Sequence, residues 1–116
     1  MGRFLLASDD ARTRIGIGGA LERAGHQVDR VTHLQLAARS ADLSQVTAVV
    51  VGLEHPCRRE SFIQALRSRR PEMPVVALLD ARSAWQTDRL QSLGATVVFG
   101  RPLPVADLIG HLEDLA

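Results

Sequence analysis

Residues 48–56 read Ala48-Val49-Val50-Val51-Gly52-Leu53-Glu54-His55-Pro56. The first four side chains are small or β-branched, and none carries a polar atom. Such a run has no side meant for water, which suits a strand covered on both faces of a parallel sheet. Gly52 and Pro56 punctuate its exit. Working outward, four more strand-sized runs recur at spacings of about 20 to 25 residues: Arg3–Ala7, His26–Val31, Pro74–Leu79 and Ala95–Phe99. Residues 3–7 and 74–79 are nearly continuous apolar stretches like 48–51. Residues 26–31 alternate with polar side chains, which predicts an edge strand.

Between the runs lie segments with helical spacing. In 11–24, the residues Ile15, Ala20, Leu21 and Ala24 are predicted to form the buried stripe. Residues 33–41 are short and alanine-rich. In 58–69 the stripe is Phe62, Ile63, Ala65 and Leu66, and 82–92 holds Ala84, Trp85 and Leu90. In 104–115 it is Val105, Leu108, Ile109, Leu112 and Leu115. Gly25 and Gly94 stand where helix C-caps belong, directly before the second and fifth strands. Strict alternation of five strands and five helices predicts an α/β fold, a doubly wound (βα)5 five-stranded parallel sheet spanning 1–116 as a single domain.

Composition narrows the function. The chain has 116 residues, 46% hydrophobic and 23% charged, as expected for one packed domain. Fourteen basic residues face thirteen acidic ones, for a net charge of +1. That balance argues against direct nucleic-acid binding by this domain. All the basic residues are arginine. The one cysteine, Cys57, excludes a disulfide framework. No apolar run approaches the length of a bilayer span, and residues 1–8 lack a signal-peptide core, so the expectation is a cytoplasmic protein with no membrane association. No effector domain is expected within these residues. His26, His33, His55 and His111 show no i, i+4 pairing, so no metal site is expected.

In doubly wound sheets the functional crevice lies at the carboxyl ends of the strands, near the point where strand order reverses. The residues there are Ser8, Asp9 and Asp10, then Gly52 to Pro56, then Leu79 to Arg82, then Gly100 to Pro102. Phosphoryl transfer in such a crevice needs a nucleophile, a divalent cation held by carboxylates, and a compensating positive charge. Asp9, Asp10 and Glu54 are available carboxylates, and Arg101 is an available cation. Gly52 offers no nucleophile, and Leu79 has no hydroxyl for a phosphoryl oxygen.

Arg3-Phe4-Leu5-Leu6-Ala7-Ser8-Asp9-Asp10 with Arg14, Val51-Gly52-Leu53-Glu54-His55-Pro56, Pro74 to Asp80, and Gly94-Ala95 through Arg101-Pro102-Leu103 stand in order along the chain. Together they resemble the receiver domains of response regulators, the CheY-like family with its flavodoxin-like fold. The departures fall on the chemistry. The resemblance puts the family's phosphoacceptor Asp at Gly52, its acidic pair at Ser8 and Asp9, its switch Ser/Thr at Leu79, its switch aromatic at Val98 and its phosphate-pairing Lys at Arg101. Only Asp9 matches outright. Arg101 keeps the charge and changes its shape. An engineered block would more often place Asn, Ala or Glu at position 52 and would spare the other positions. The resemblance therefore implies a naturally degenerate pseudo-receiver, with no catalysis, cofactor or metal.

Several features have a structural and a functional reading. Arg101 is read as a sealing ion pair with Asp9 and Glu54, as a retained anion site, or as simply solvent-exposed. Arg14-Ile15-Gly16-Ile17-Gly18-Gly19-Ala20 is glycine-rich, but it begins too far beyond the first strand for a dinucleotide fingerprint. Its glycines either weaken the helix or admit a close neighbour. The arginines at 58, 59, 67, 69 and 70 are a solvated face or a site for an acidic partner. Trp85 is either a half-buried core residue or, with Arg89, Leu103 and Val105, part of a candidate interaction face on the predicted fourth helix, fifth strand and fifth helix, fit for a protein partner or a homodimer. The expected role is a phosphorylation-independent interaction or dimerisation module in bacterial signal transduction. The competing role is a ligand-binding regulatory domain, with an anion or nucleotide in the vacated acidic pocket beside Arg101 and Arg82.

Overall fold

Val49, Val50 and Val51 are wholly inaccessible to solvent, as are Phe4, Leu6, Val75, Val76, Ala77 and Leu78. They form the centre of a parallel sheet in a computed structural model of the chain. The model describes residues 2–8, 11–31, 46–52, 56–79, 84–93, 95–100 and 105–115; for 56–62, 79, 84–87, 93 and 100 only the backbone is described. The strands are β1 (Arg3–Ala7), β2 (Gln27–Val31), β3 (Ala48–Val51), β4 (Val75–Leu79) and β5 (Val97–Gly100). The described helices are α1 (Ala11–Arg23), α2 (Pro56–Arg69), α3 (Ala84–Leu93) and α4 (Val105–Leu115). The helix expected at 33–41 and the cap expected at Gly94 lie outside the described residues.

All pairings are parallel, in the order β2-β1-β3-β4-β5. This is the doubly wound sheet that the alternation predicts. Helices α1 and α4 pack together, and α2 packs on α3. The half-exposed strand β2 is the edge, as its polar alternation requires. Arg3 Nε bridges to Asp29 Oδ2 across β1 and β2 (2.9 Å).

Helix α4 follows its sequence pattern. Leu108 and Leu112 are fully buried, and Ile109 and Leu115 pack partly against the core. Val105, at its start, is instead 41% exposed. Helix α1 departs further from its pattern. Its buried residues are Thr13, Ile17, Gly18 and Leu21, while Ile15 is 71% exposed and Ala24 is exposed. The stripe at 13, 17 and 21 has i, i+4 spacing, and Ile15 lies on the far side of it. Two isoleucines two residues apart cannot share one helical face, and Ile17 took the core.

The end of α1 matches expectation. Gly25 has φ 94°, a left-handed conformation that glycine adopts without steric cost. Its N–H donates to the Glu22 carbonyl (3.0 Å), and the His26 N–H donates to the Leu21 carbonyl (3.1 Å). These two bonds form a Schellman cap, which turns the chain directly into β2. His26 is buried there. Its Nδ1 accepts the Gly2 N–H (3.0 Å), and its ring meets the Phe4 ring edge-on.

Candidate functional site

Strand order reverses between β1 and β3, so the crevice opens at the ends of those two strands. Ala7 is in register with Val51, which sets Ser8 beside Gly52 one residue further on. The Gly52 N–H donates to the Ala7 carbonyl (2.7 Å), and the Ser8 N–H donates to the Val31 carbonyl (3.0 Å). Both residues are buried. The floor of the crevice is therefore paired backbone, one serine side chain, and a glycine at the end of the central strand.

Arg14 closes one side of this floor. It reaches back from α1, and its Nη1 donates to the Ser8 carbonyl (2.7 Å). An arginine at this point brings positive charge to the mouth of the crevice and fixes α1 against the end of β1. Nothing in the sequence spacing announces that contact, because it depends on the angle at which α1 leaves the sheet.

The structure thus brings together Ser8 and Gly52. Asp9, Asp10, Glu54, Arg101 and Leu103 lie outside the described residues, and the side chains of Leu79 and Trp85 are not described. Leu79 ends β4 in register with Gly100. Val98 is partly buried and in register with Ala77 on β4. The neighbouring Phe99 packs edge-on against His111 of α4, with ring centroids 6.2 Å apart. Arg89 is exposed on α3. Val105 lines a groove against α1 together with Arg12, Thr13, Gly16, Ile17, Ala20 and Arg23.

The glycine-rich segment proves to be the inside of α1. A Cβ at Gly18 would stand 2.7 Å from the guanidinium of Arg30, whereas one at Gly16 would meet nothing within 4 Å. Gly18 therefore admits a close neighbour, and that neighbour is an arginine from β2. Arg30 forks onto Glu22 through Nη2–Oε1 (2.6 Å) and Nη1–Oε2 (3.2 Å), and its Nε donates to the Arg14 carbonyl (3.3 Å). The fork holds the Glu22 carboxyl below its ordinary value and pushes Arg30 higher.

Two of the basic residues near the end of α2 are engaged locally. Arg67 donates to the Pro71 carbonyl (2.7 Å) and to Thr96 Oγ1 (3.4 Å), and Arg70 pairs with Glu72 (2.9 Å). Among the described residues, no helix is long and apolar enough to cross a membrane.

No protein-family model matches the sequence, and no curated protein matches it. Solved structures do match. The receiver domain of the Francisella response regulator 1452 superposes with a TM-score of 0.88 at 19% identity, covering 99% of this chain and 96% of that one. The Vibrio cholerae chemotaxis protein CheY4 gives 0.86 at 20% identity, covering 100% and 99%. A Burkholderia thailandensis chain named for pilus assembly, CpaE, gives 0.81 at 20% identity, covering 99% and 98%. The chain has the receiver fold of bacterial response regulators, built with a glycine at the end of its central strand.

Proposed function

We infer that this chain, read as one domain over 1–116, is a pseudo-receiver that acts as an interaction module without being phosphorylated, in bacterial signal transduction. The observation that carries the reading is Gly52. It follows directly on the central strand at the switch point, buried beside Ser8, and brings no carboxylate to accept a phosphoryl group. The sequence resemblance places four further losses around it, at Ser8, Leu79, Val98 and Arg101. The domain turns over no substrate, requires no metal, and works in the cytoplasm by contact with a protein partner or a second copy. The sequence-derived interaction residues Trp85, Arg89, Leu103 and Val105 belong to this reading. Exposure of Arg89 and Val105 supports it.

Incubation with acetyl phosphate and magnesium, followed by intact-protein mass spectrometry, tests the reading. The expected result is an unmodified mass. A stoichiometric phosphoryl adduct lost on alkaline hydroxylamine treatment would overturn it.

A further inference from the structure

Helix α1 and helix α4 stand side by side, and the groove between them is open to solvent, with a volume of about 340 Å³. Sites for small ligands span roughly 300–1,000 Å³, so the groove has room for one. Thr13 and Ile17, both buried, lie at its base. Gly16 and Ala20 form one side, and Val105, the first residue of α4, stands opposite. Gly16 is exposed, and a Cβ there would meet nothing within 4 Å. Ala20, one turn further on, adds only a methyl group. The small residues of α1 thus leave an apolar trough along the helix.

The charge on this trough has one sign. Among the described residues that line it there are two arginines, Arg12 and Arg23, and no carboxylate. Arg12 already has a partner within the chain. Arg23 makes no side-chain hydrogen bond or ion pair among the described residues. It belongs to the last turn of α1, but its side chain leans back toward the helix start, as helical side chains do. Its Nη1 lies 3.3 Å from where a Cβ of Gly19 would stand. The missing side chain at Gly19 therefore gives the guanidinium a seat on the groove wall. That seat is about a turn away from the unpaired carbonyls at the helix end, which would repel an anion.

We propose that this groove binds a small amphipathic monoanion, with a carboxylate on Arg23 and an aliphatic body laid along Ala20, Ile17 and Gly16 toward Val105. The body leaves water for an apolar trough, and the guanidinium fork matches a carboxylate. A ligand of several negative charges would need a second available cation, which Arg12, already engaged, does not supply. An apolar cation would meet two guanidiniums. The proposal goes beyond the interaction-module reading and does not depend on it. It uses no residue of the crevice, and it shares only Val105 with the sequence-derived interaction face.

Amide NMR titration of the chain with octanoate, kept below its micelle-forming concentration, tests it. Saturable shifts should cluster at Thr13, Gly16, Ile17, Ala20 and Val105. Arg23→Gln should weaken octanoate about two- to fivefold, as expected for a partly exposed ion pair, and should leave octanol binding unchanged. Gly16→Leu should abolish saturable binding of both. Leucine has room for its Cβ at that position and favours the helix, so the fold should survive while the side chain fills the groove. Circular dichroism checks the fold of each variant. Octanoate that gives no saturable shifts, or that binds Gly16→Leu as tightly as wild type, would overturn the proposal. So would equal responses of octanoate and octanol to Arg23→Gln, which would leave an apolar site without preference for an anion. The acetyl phosphate experiment does not involve this groove, so the two readings fail separately.

Discussion

Helices α1 and α4 cover the same side of one sheet, yet they are held to it differently. Helix α4 is held by an apolar stripe, with Leu108 and Leu112 fully buried. Helix α1 spends three of its thirteen positions on glycine and leaves Ile15 in solvent. Its own stripe of Thr13, Ile17 and Leu21 is supplemented by polar straps: Arg14 to the Ser8 carbonyl at one end, and Arg30 laid across Gly18 onto Glu22 near the other. The difference teaches that a glycine in a helix has no fixed meaning. Gly18 is a seat for a guanidinium, and Gly16 faces open space.

The largest break between the helices should come from the stripes. Leu112→Ala should lower unfolding free energy by about 2–5 kcal/mol, because the site is sealed on every side. Ile15→Ala should change it by less than about 0.5 kcal/mol, since an exposed side chain has little burial to lose. Chemical denaturation of both variants measures the contrast. Equal losses would contradict the placement of Ile15.

The glycines should separate next. Gly16→Ala should stabilise by up to about 1 kcal/mol through helix propensity alone. Gly18→Ala gains the same propensity, but its Cβ displaces the Arg30 guanidinium. Displacing it loosens the exposed fork onto Glu22, so Gly18→Ala should stabilise less than Gly16→Ala. Matching gains at both positions would mean that Arg30 does not need the Gly18 seat.

The smallest effect concerns pH. The Arg30 fork lowers the Glu22 pKa, so the unfolded carboxyl, near its ordinary 4.5, binds its proton first as pH falls. The stabilisation is complete above the ordinary value and lost as pH drops through the lower, folded one. Denaturation midpoints between pH 3 and 7 should fall more steeply for wild type than for Glu22→Gln. Parallel curves would remove the fork from the account.

The strands were legible because burial on both faces leaves one kind of residue: Phe4 to Ala7, Ala48 to Val51 and Val75 to Leu78 contain no polar side chain. The stripe of α4 was legible for the same reason, with a clear 3.6-residue period. The stripe of α1 was not, because Ile15 and Ile17 offer two phases of that period and glycines blur the choice. The Arg30 strap joins a strand to a helix across 8 and 16 residues, a separation that no helical or strand period encodes. At the crevice, topology alone placed Ser8 and Gly52 side by side. The Arg14 bond to the Ser8 carbonyl was hidden, since it follows from how α1 tilts away from β1.

The most direct measurement of the central claim is an amide NMR titration with beryllofluoride and magnesium, which together mimic an acyl phosphate at a carboxylate. With glycine at the end of β3, the spectrum should stay unchanged through a large excess. Saturable shifts clustered at Ser8, Asp9 and Gly52 would contradict the account and restore a working phosphoryl site to this fold.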